Sequence, residues 1–140
     1  MKQNPNNTPA AMSIDVEDWF QVQNLAIDAS TWNNHEYRVA SNMDRMLELM
    51  AQNNVQSTCF ILGWIAERHP ETVKKIADAG HEIACHGYNH ELIYDLTPEQ
   101  FREDVRSSKQ LLQDVTGAEV VGYRAPCFSI TDWSIDILQE

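Results

Sequence analysis

Four short apolar runs, each followed by a stretch with helical character, constrain this chain more than any other feature. The runs are "AAMSIDV", "STCFIL", "HEIACHG" and "EVVGYRAP". Each is too short for a stable helix and is bounded by turn-forming or polar residues, so each predicts a strand. Between the first two, Met43, Met46, Leu47 and Met50 recur at helical spacing, with Ser41 or Asn42 as the expected cap. "GWIAERHP" predicts a short helix stopped by Pro70. "ETVKKIADAG" predicts another, with Val73, Ile76 and Ala77 inward and Gly80 as its stop. "TPEQ" opens a longer one, with Thr97 as cap, Pro98 in the first turn and Gln100 in the capping-box position. Phe101, Val105, Leu112 and Val115 form its apolar stripe, and Gly117 ends it. Thr131 is expected to cap a last helix running on to Glu140. Residues 17–37 show no clear period and predict a loop.

The order βαβαβαβα implies a parallel sheet with right-handed crossovers. A closed (β/α) barrel takes about 250 residues, so the expected fold class is α/β, the N-terminal part of such a barrel. An open four-stranded sheet is the alternative. The start, "MKQNPNNTPAAM", lacks the apolar stretch of a signal peptide. The expected organisation is a flexible tail over 1–11 and a single domain over 12–140, with the cytoplasm as location. No apolar run approaches the roughly 18 to 20 residues of a membrane span. Ten basic against 21 acidic residues, a net charge of −11, argue against nucleic acid or an anionic membrane surface as partner, since both need a basic footprint. Cys59, Cys85 and Cys127 are far apart and lack metal-ligand spacing, so they read as reduced cysteines packed as small hydrophobes.

In α/β folds chemistry gathers where strands end. The first predicted strand ends in Asp15, Glu17 and Asp18 ("SIDVEDWF"). The third ends in His86, with His90 four residues on ("HGYNH"). The fourth ends in Arg124 and Pro126 ("YRAPCF"). Singly, each has an ordinary explanation: a solvated acidic loop, a chance histidine pair, a surface arginine at a turn. Together, at one edge of one sheet, they describe a metal site with charged neighbours. Two imidazoles and one carboxylate leave a position open for water, the donor set of a catalytic zinc site. A second carboxylate, off the metal, can take the water's proton. His86 and His90 are expected to converge through a helical turn. If the strand persists, Asp15 and Glu17 share a side, with Asp15 as the held base, Glu17 as the ligand and Asp18 in reserve. Trp19 and Phe20 suit either a sugar-binding groove or the core. His69, His81 and His35 have structural readings.

"SIDVEDWF", "HEIACHGYNH" and "GYRAPCFSI", in this order, resemble the first three motifs of the polysaccharide deacetylase family with the NodB homology domain, carbohydrate esterase family 4. The stretch "TCFILGWIAERHPETVKKIADAGHEIACHGYNHELIY" is similar to the branch associated with bacterial exopolysaccharide and exosortase loci. The resemblance runs from about Met12 to the end. It implies a distorted (β/α) barrel and a metal-dependent hydrolase that removes N-acetyl groups from an amino-sugar polymer of exopolysaccharide or peptidoglycan type. Zinc is the implied metal, with cobalt or nickel as alternatives. By motif position Asp15 is the implied base, Glu17, His86 and His90 the metal ligands, and Arg124 the residue that orients the base. Pro126, Cys127 and Phe128, with Trp19, would bind substrate, and the backbone N–H near Cys127 would help stabilise the oxyanion. Val16 separates acids that are adjacent in the common first motif, a spacing shared with variants acting on peptidoglycan or cyclic amides. Cys127 stands where the third motif often has an aromatic. The general-acid histidine of the family is expected beyond Glu140. Hydrolysis of cyclic imides or ureides on the same fold, and a non-catalytic glycan-binding relic, are the competing functions.

Overall fold

The computed structural model describes residues 10–140, so the tail expected over 1–11 lies almost wholly outside the described residues. Three parallel strands, β1 (Met12–Val16), β2 (Ser57–Ile61) and β3 (Glu82–Cys85), pair in that order. Their register sets up everything that follows. Val16 lies opposite Ile61, and Ile61 opposite Cys85. All three strands therefore stop at one level, and the residues just beyond them meet at one edge of the sheet.

The fourth predicted strand is not formed as such. "EVVGYRAP" touches β3 through one parallel bridge between Cys85 and Tyr123. The Cys85 N–H donates to the Gly122 carbonyl (2.8 Å) and the Arg124 N–H to the Cys85 carbonyl (3.0 Å). A side chain at Gly122 would come within 2.9 Å of the Ala84 Cβ, so this segment packs by close backbone approach. Pro126 then offers no N–H to continue a ladder. The bridge is short, but it suffices to bring Arg124 beside the ends of β1 and β3.

Among the described residues five α-helices alternate with these segments: α1 (Val39–Gln52), α2 (Gly63–Arg68), α3 (Pro70–Asp78), α4 (Pro98–Thr116) and α5 (Asp132–Leu138). The methionine stripe of α1 faces inward as expected, with Met43 and Met50 buried and Met46 and Leu47 partly so. Its expected caps are wrong, however. The helix begins at Val39, before Ser41, and its first amides are satisfied by a carboxylate from another part of the chain. In α4 the capping box forms as read: the Gln100 N–H reaches Thr97 Oγ1 (3.3 Å) and the Thr97 N–H reaches Gln100 Oε1 (2.8 Å). Gly117 closes the helix with φ 68, a left-handed conformation that suits glycine. α5 ends at Leu138, with Gln139 as its C-cap, instead of continuing.

Ile61, Leu62, Ile65, Val73, Ile76 and Leu112 form the centre of the core and are fully buried. Each contributes roughly 1.5–3 kcal/mol by leaving water. Ile93, Phe101, Ala125 and Ile137 make a smaller cluster under α5. Cys59 and Cys85 are packed as small hydrophobes, and burial pushes the Cys85 thiol up to about 12. Cys127 departs from the expectation and is exposed.

Candidate metal centre

β1 stops at Val16 because Asp18 turns the chain. Its carboxylate accepts from the backbone N–H groups of Trp19 (2.8 Å), Arg38 (2.6 Å) and Val39 (2.9 Å), and Asp18 is only 3% exposed. Both of its oxygens are taken up by amides. This side chain therefore pins the irregular segment 17–38 to the start of α1 and stands apart from the cluster of Glu17, His86 and His90. Glu17 is held between the strand end and this anchor. Strand alternation plays no part in aiming it, since the strand has already ended.

His86 follows β3 directly. The chain then reverses through two left-handed residues, Gly87 (φ 76) and His90 (φ 58). The helical turn expected between the histidines is absent; the reversal brings the rings to 5.2 Å between centroids. His86 Nδ1 lies 2.7 Å from the Arg124 carbonyl. A carbonyl only accepts, so Nδ1 carries the proton and Nε2 keeps its lone pair. His90 Nε2 sits 3.0 Å from Glu17 Oε2. One ligating atom from each of Glu17, His86 and His90 lies within 4.8 Å of the others.

The electrostatics prepare these groups for a cation. Burial, aided by the nearby His86, drives His90 down to about 4, and burial likewise lowers His86. Both imidazoles are thus neutral at pH 7, as ligands must be. Burial and then the charge of Asp15 raise Glu17 to about 7. The close His90–Glu17 contact is therefore not an ion pair. Although it lies 3.0 Å from His90 Nε2, Glu17 Oε2 makes no hydrogen bond with it, and Glu17 Oε2 and His90 Nδ1 are both buried without a hydrogen-bond partner among the described residues. A carboxylate oxygen orphaned beside two neutral imidazoles fits a divalent ion of the zinc class.

Asp15 occupies a separate position. Its Oδ1 accepts from Arg124 Nη1 (2.5 Å), while Oδ2 lies 4.0 Å from His86 Nε2. Arg124 also donates through Nη2 to Ser13 Oγ (2.8 Å), and its guanidinium lies 4.0 Å over the Phe60 ring. Arg124 is thereby fixed on three sides. Neither Ser13 nor Phe60 was singled out in the sequence, yet Phe60 is the register partner of Asp15 and was legible once the parallel pairing was assumed. Asp18 and Gln21 form a capping box in "DWFQ", the local sequence signal that marks Asp18 as a cap.

The other candidates scatter. Trp19 is 38% exposed, donates from Nε1 to the Glu36 carbonyl (3.1 Å) and packs against Phe20, His35 and Arg38. Phe20 is core. Pro126 is buried beside Gly87, whereas Cys127 and Phe128 form an exposed left-handed turn (φ 49 and 54), with the Phe128 ring 5.7 Å from the Arg124 guanidinium.

The His86–His90 turn rests on Asp104 of α4, which accepts the Tyr88 N–H at 3.0 Å. Burial above all raises the Asp104 carboxyl to about 6, with Glu91 adding to it. A folded-state value above the unfolded 3.8 means stability that is present below about pH 4 and lost as pH rises through about 6. Asp104→Asn keeps an acceptor for Tyr88 but does not titrate. The stability of this variant relative to wild type should shift in its favour by about 1–2 kcal/mol between pH 4 and pH 7. Guanidinium denaturation in chelator at both pH values measures this, and an unchanged gap would contradict it.

The family model for polysaccharide deacetylase matches residues 25–140. A peptidoglycan deacetylase of Helicobacter pylori is 34% identical over 94 residues, 67% of this chain and 32% of the relative. A peptidoglycan-N-acetylglucosamine deacetylase of Bacillus cereus is 29% identical over 107 residues, 66% of this chain and 39% of the relative. The chain thus spans about a third of the length of the curated relatives it matches. Among solved structures, a CE4 family pseudoenzyme from Bacillus anthracis superposes with a TM-score of 0.77 at 20% identity, over 97% of this chain and 41% of that one. That last likeness concerns the fold.

Proposed function

The chain belongs to the polysaccharide deacetylase family, and from that premise we propose that it carries the metal-holding part of a hydrolase that removes N-acetyl groups from an amino-sugar polymer. One observation carries the reading. Two neutral buried imidazoles and an orphaned carboxylate stand beside a second carboxylate clamped by an arginine. A fold shared with a pseudoenzyme does not decide activity; this division of donors from base is what favours it.

Glu17, His86 and His90 would hold the ion, with zinc as our choice among divalent metals. When bound, such an ion supplies Lewis acidity and acidifies a water. The chain's own groups do the rest. Asp15 accepts the water's proton at Oδ2, because Oδ1 is engaged by Arg124. Arg124, locked by Ser13 and Phe60, fixes the carboxylate's orientation, so that little reorganisation is left for the reaction itself. The Phe128 N–H is already bonded to the Ala125 carbonyl (2.9 Å), so we assign the oxyanion contact to the Cys127 N–H. The exposed Phe128 ring offers a face for a sugar.

Acetate release from chitooligosaccharides by the full-length protein tests this. Activity should disappear in chelator and return with zinc. Asp15→Asn, which keeps the shape but not the basicity, should lower the rate about a hundredfold while zinc affinity stays within about threefold of wild type. Full activity of Asp15→Asn, or acetate release indifferent to chelator, would overturn the proposal.

A further inference from the structure

The two histidines of the candidate metal centre are held in different ways. The His86 ring is oriented directly, by Nδ1 donating to the Arg124 carbonyl at 2.7 Å. The His90 ring has no such bond. Its Nδ1 is buried without a partner among the described residues, and its Nε2 lies 3.0 Å from Glu17 Oε2 without bonding to it. A ligand whose ring no neighbour orients takes its position from its backbone, and the backbone of His90 is left-handed (φ 58). Whatever fixes that stretch of chain therefore acts on the metal centre.

Three hydrogen bonds carry the pairing of β2 with β3 past the strand ends. The His86 N–H donates to the Ile61 carbonyl (3.0 Å), the Gly63 N–H to the Gly87 carbonyl (2.8 Å) and the Trp64 N–H to the Tyr88 carbonyl (3.2 Å). The opening of α2 thus grips one side of the turn. α4 grips the other, where Asp104 Oδ1 accepts the Tyr88 N–H at 3.0 Å. The Gly87 carbonyl and the Tyr88 N–H belong to one peptide unit, so this plane is held at both poles, two residues before His90. Both grips need bare glycines. A Cβ at Gly63 would lie 2.6 Å from Tyr88 Cδ2, and one at Gly87 would lie 3.1 Å from Asp104 Oδ2. Asp104 supplies the one grip made by a side chain. We propose that Asp104 is a positioning residue for His90. It pins the Gly87–Tyr88 peptide plane against α2 and so sets where His90 offers its nitrogen to a divalent ion, whereas His86, oriented by Arg124, does not depend on it. The assignment rests on Glu17, His86 and His90 as the ion's ligands and deepens that reading.

Zinc affinity, measured by competition against a chromophoric chelator at pH 7.5, tests this through a double-variant cycle. Asp104→Ala should weaken zinc binding about tenfold in wild type and again about tenfold in His86→Ala, but by no more than about twofold in His90→Ala. A contribution to general stability alone would act on all three backgrounds alike. Two further variants separate position from charge. Asp104→Asn loses the charge but keeps an acceptor, and should stay within about threefold of wild type. Asp104→Glu keeps the charge but displaces the acceptor by one methylene, and should lose about tenfold. It also replaces Asp104→Ala in the cycle if the alanine variant does not fold. No loss in Asp104→Ala, an equal loss in the two histidine backgrounds, or a loss in Asp104→Asn as large as in Asp104→Ala overturns the positioning role and leaves the metal centre standing. Zinc affinity indifferent to His90→Ala itself overturns the ligand assignment and the positioning role with it.

Discussion

Replacing His86 and His90 together by alanine is expected to lower zinc affinity by about four orders of magnitude, and either one alone by about a hundredfold. The scale follows from apparent zinc binding energies of roughly 10–16 kcal/mol shared among four ligands, or about 3 kcal/mol for each. The structure gives reasons why neither loss can be repaired. His86 is fixed by the Arg124 carbonyl and His90 by a left-handed backbone, so no neighbouring imidazole can swing in. The remaining histidines are engaged elsewhere: His69 stacks on Tyr37 (3.5 Å between centroids), His35 stacks on Phe20, and His81 Nδ1 accepts the Ser57 N–H. His69→Ala is therefore the control and should leave affinity unchanged. Competition against a chromophoric chelator at pH 7.5 measures all four proteins. A double variant within about tenfold of wild type would show that zinc is held elsewhere.

Much of this arrangement was legible from the chain because it follows from periodicity and from where strands must end. The helix stripes of α1 and α4, the capping box at Thr97 and the glycine stop at Gly117 are local signals, and the structure keeps them. The level ending of β1, β2 and β3 is a consequence of parallel pairing, so acids and histidines written at strand ends had to share an edge. What sequence could not supply was backbone conformation outside regular elements. The HGYNH segment reads as a helical i, i+4 pair, but Gly87 and His90 take positive φ and close the distance another way. The fourth strand reads as strand by composition, yet the close approach at Gly122 and the missing N–H of Pro126 reduce it to one bridge. The α1 start was misplaced for a related reason. Its cap comes from Asp18, some twenty residues upstream, and a contact across the loop leaves no local signature.

Asp18 carries the second large effect, and its measurement also settles the crowded acids of "SIDVEDWF". Asp18→Ala should destabilise the protein by about 3–5 kcal/mol, since an unsatisfied buried amide costs roughly 1–3 kcal/mol and three amides lose their acceptor. Two of those amides open α1 and the third opens the turn at Trp19, so the whole 17–38 segment loosens with it. Asp18→Asn keeps one acceptor oxygen and should cost less, about 2 kcal/mol. The same variant separates anchor from ligand. If Asp18 only holds the backbone, Asp18→Asn binds zinc within about threefold of wild type despite its lower stability, whereas Glu17→Gln loses about a hundredfold in affinity. Glu17→Gln should cost little stability in chelator, because the carboxyl it replaces is raised to about 7 by its own burial and is a burden once ionised. Thermal denaturation with and without zinc reads both quantities at once. Loss of zinc binding in Asp18→Asn with retention in Glu17→Gln would exchange the two roles, and with them the assignment of the carboxylate that completes the metal centre.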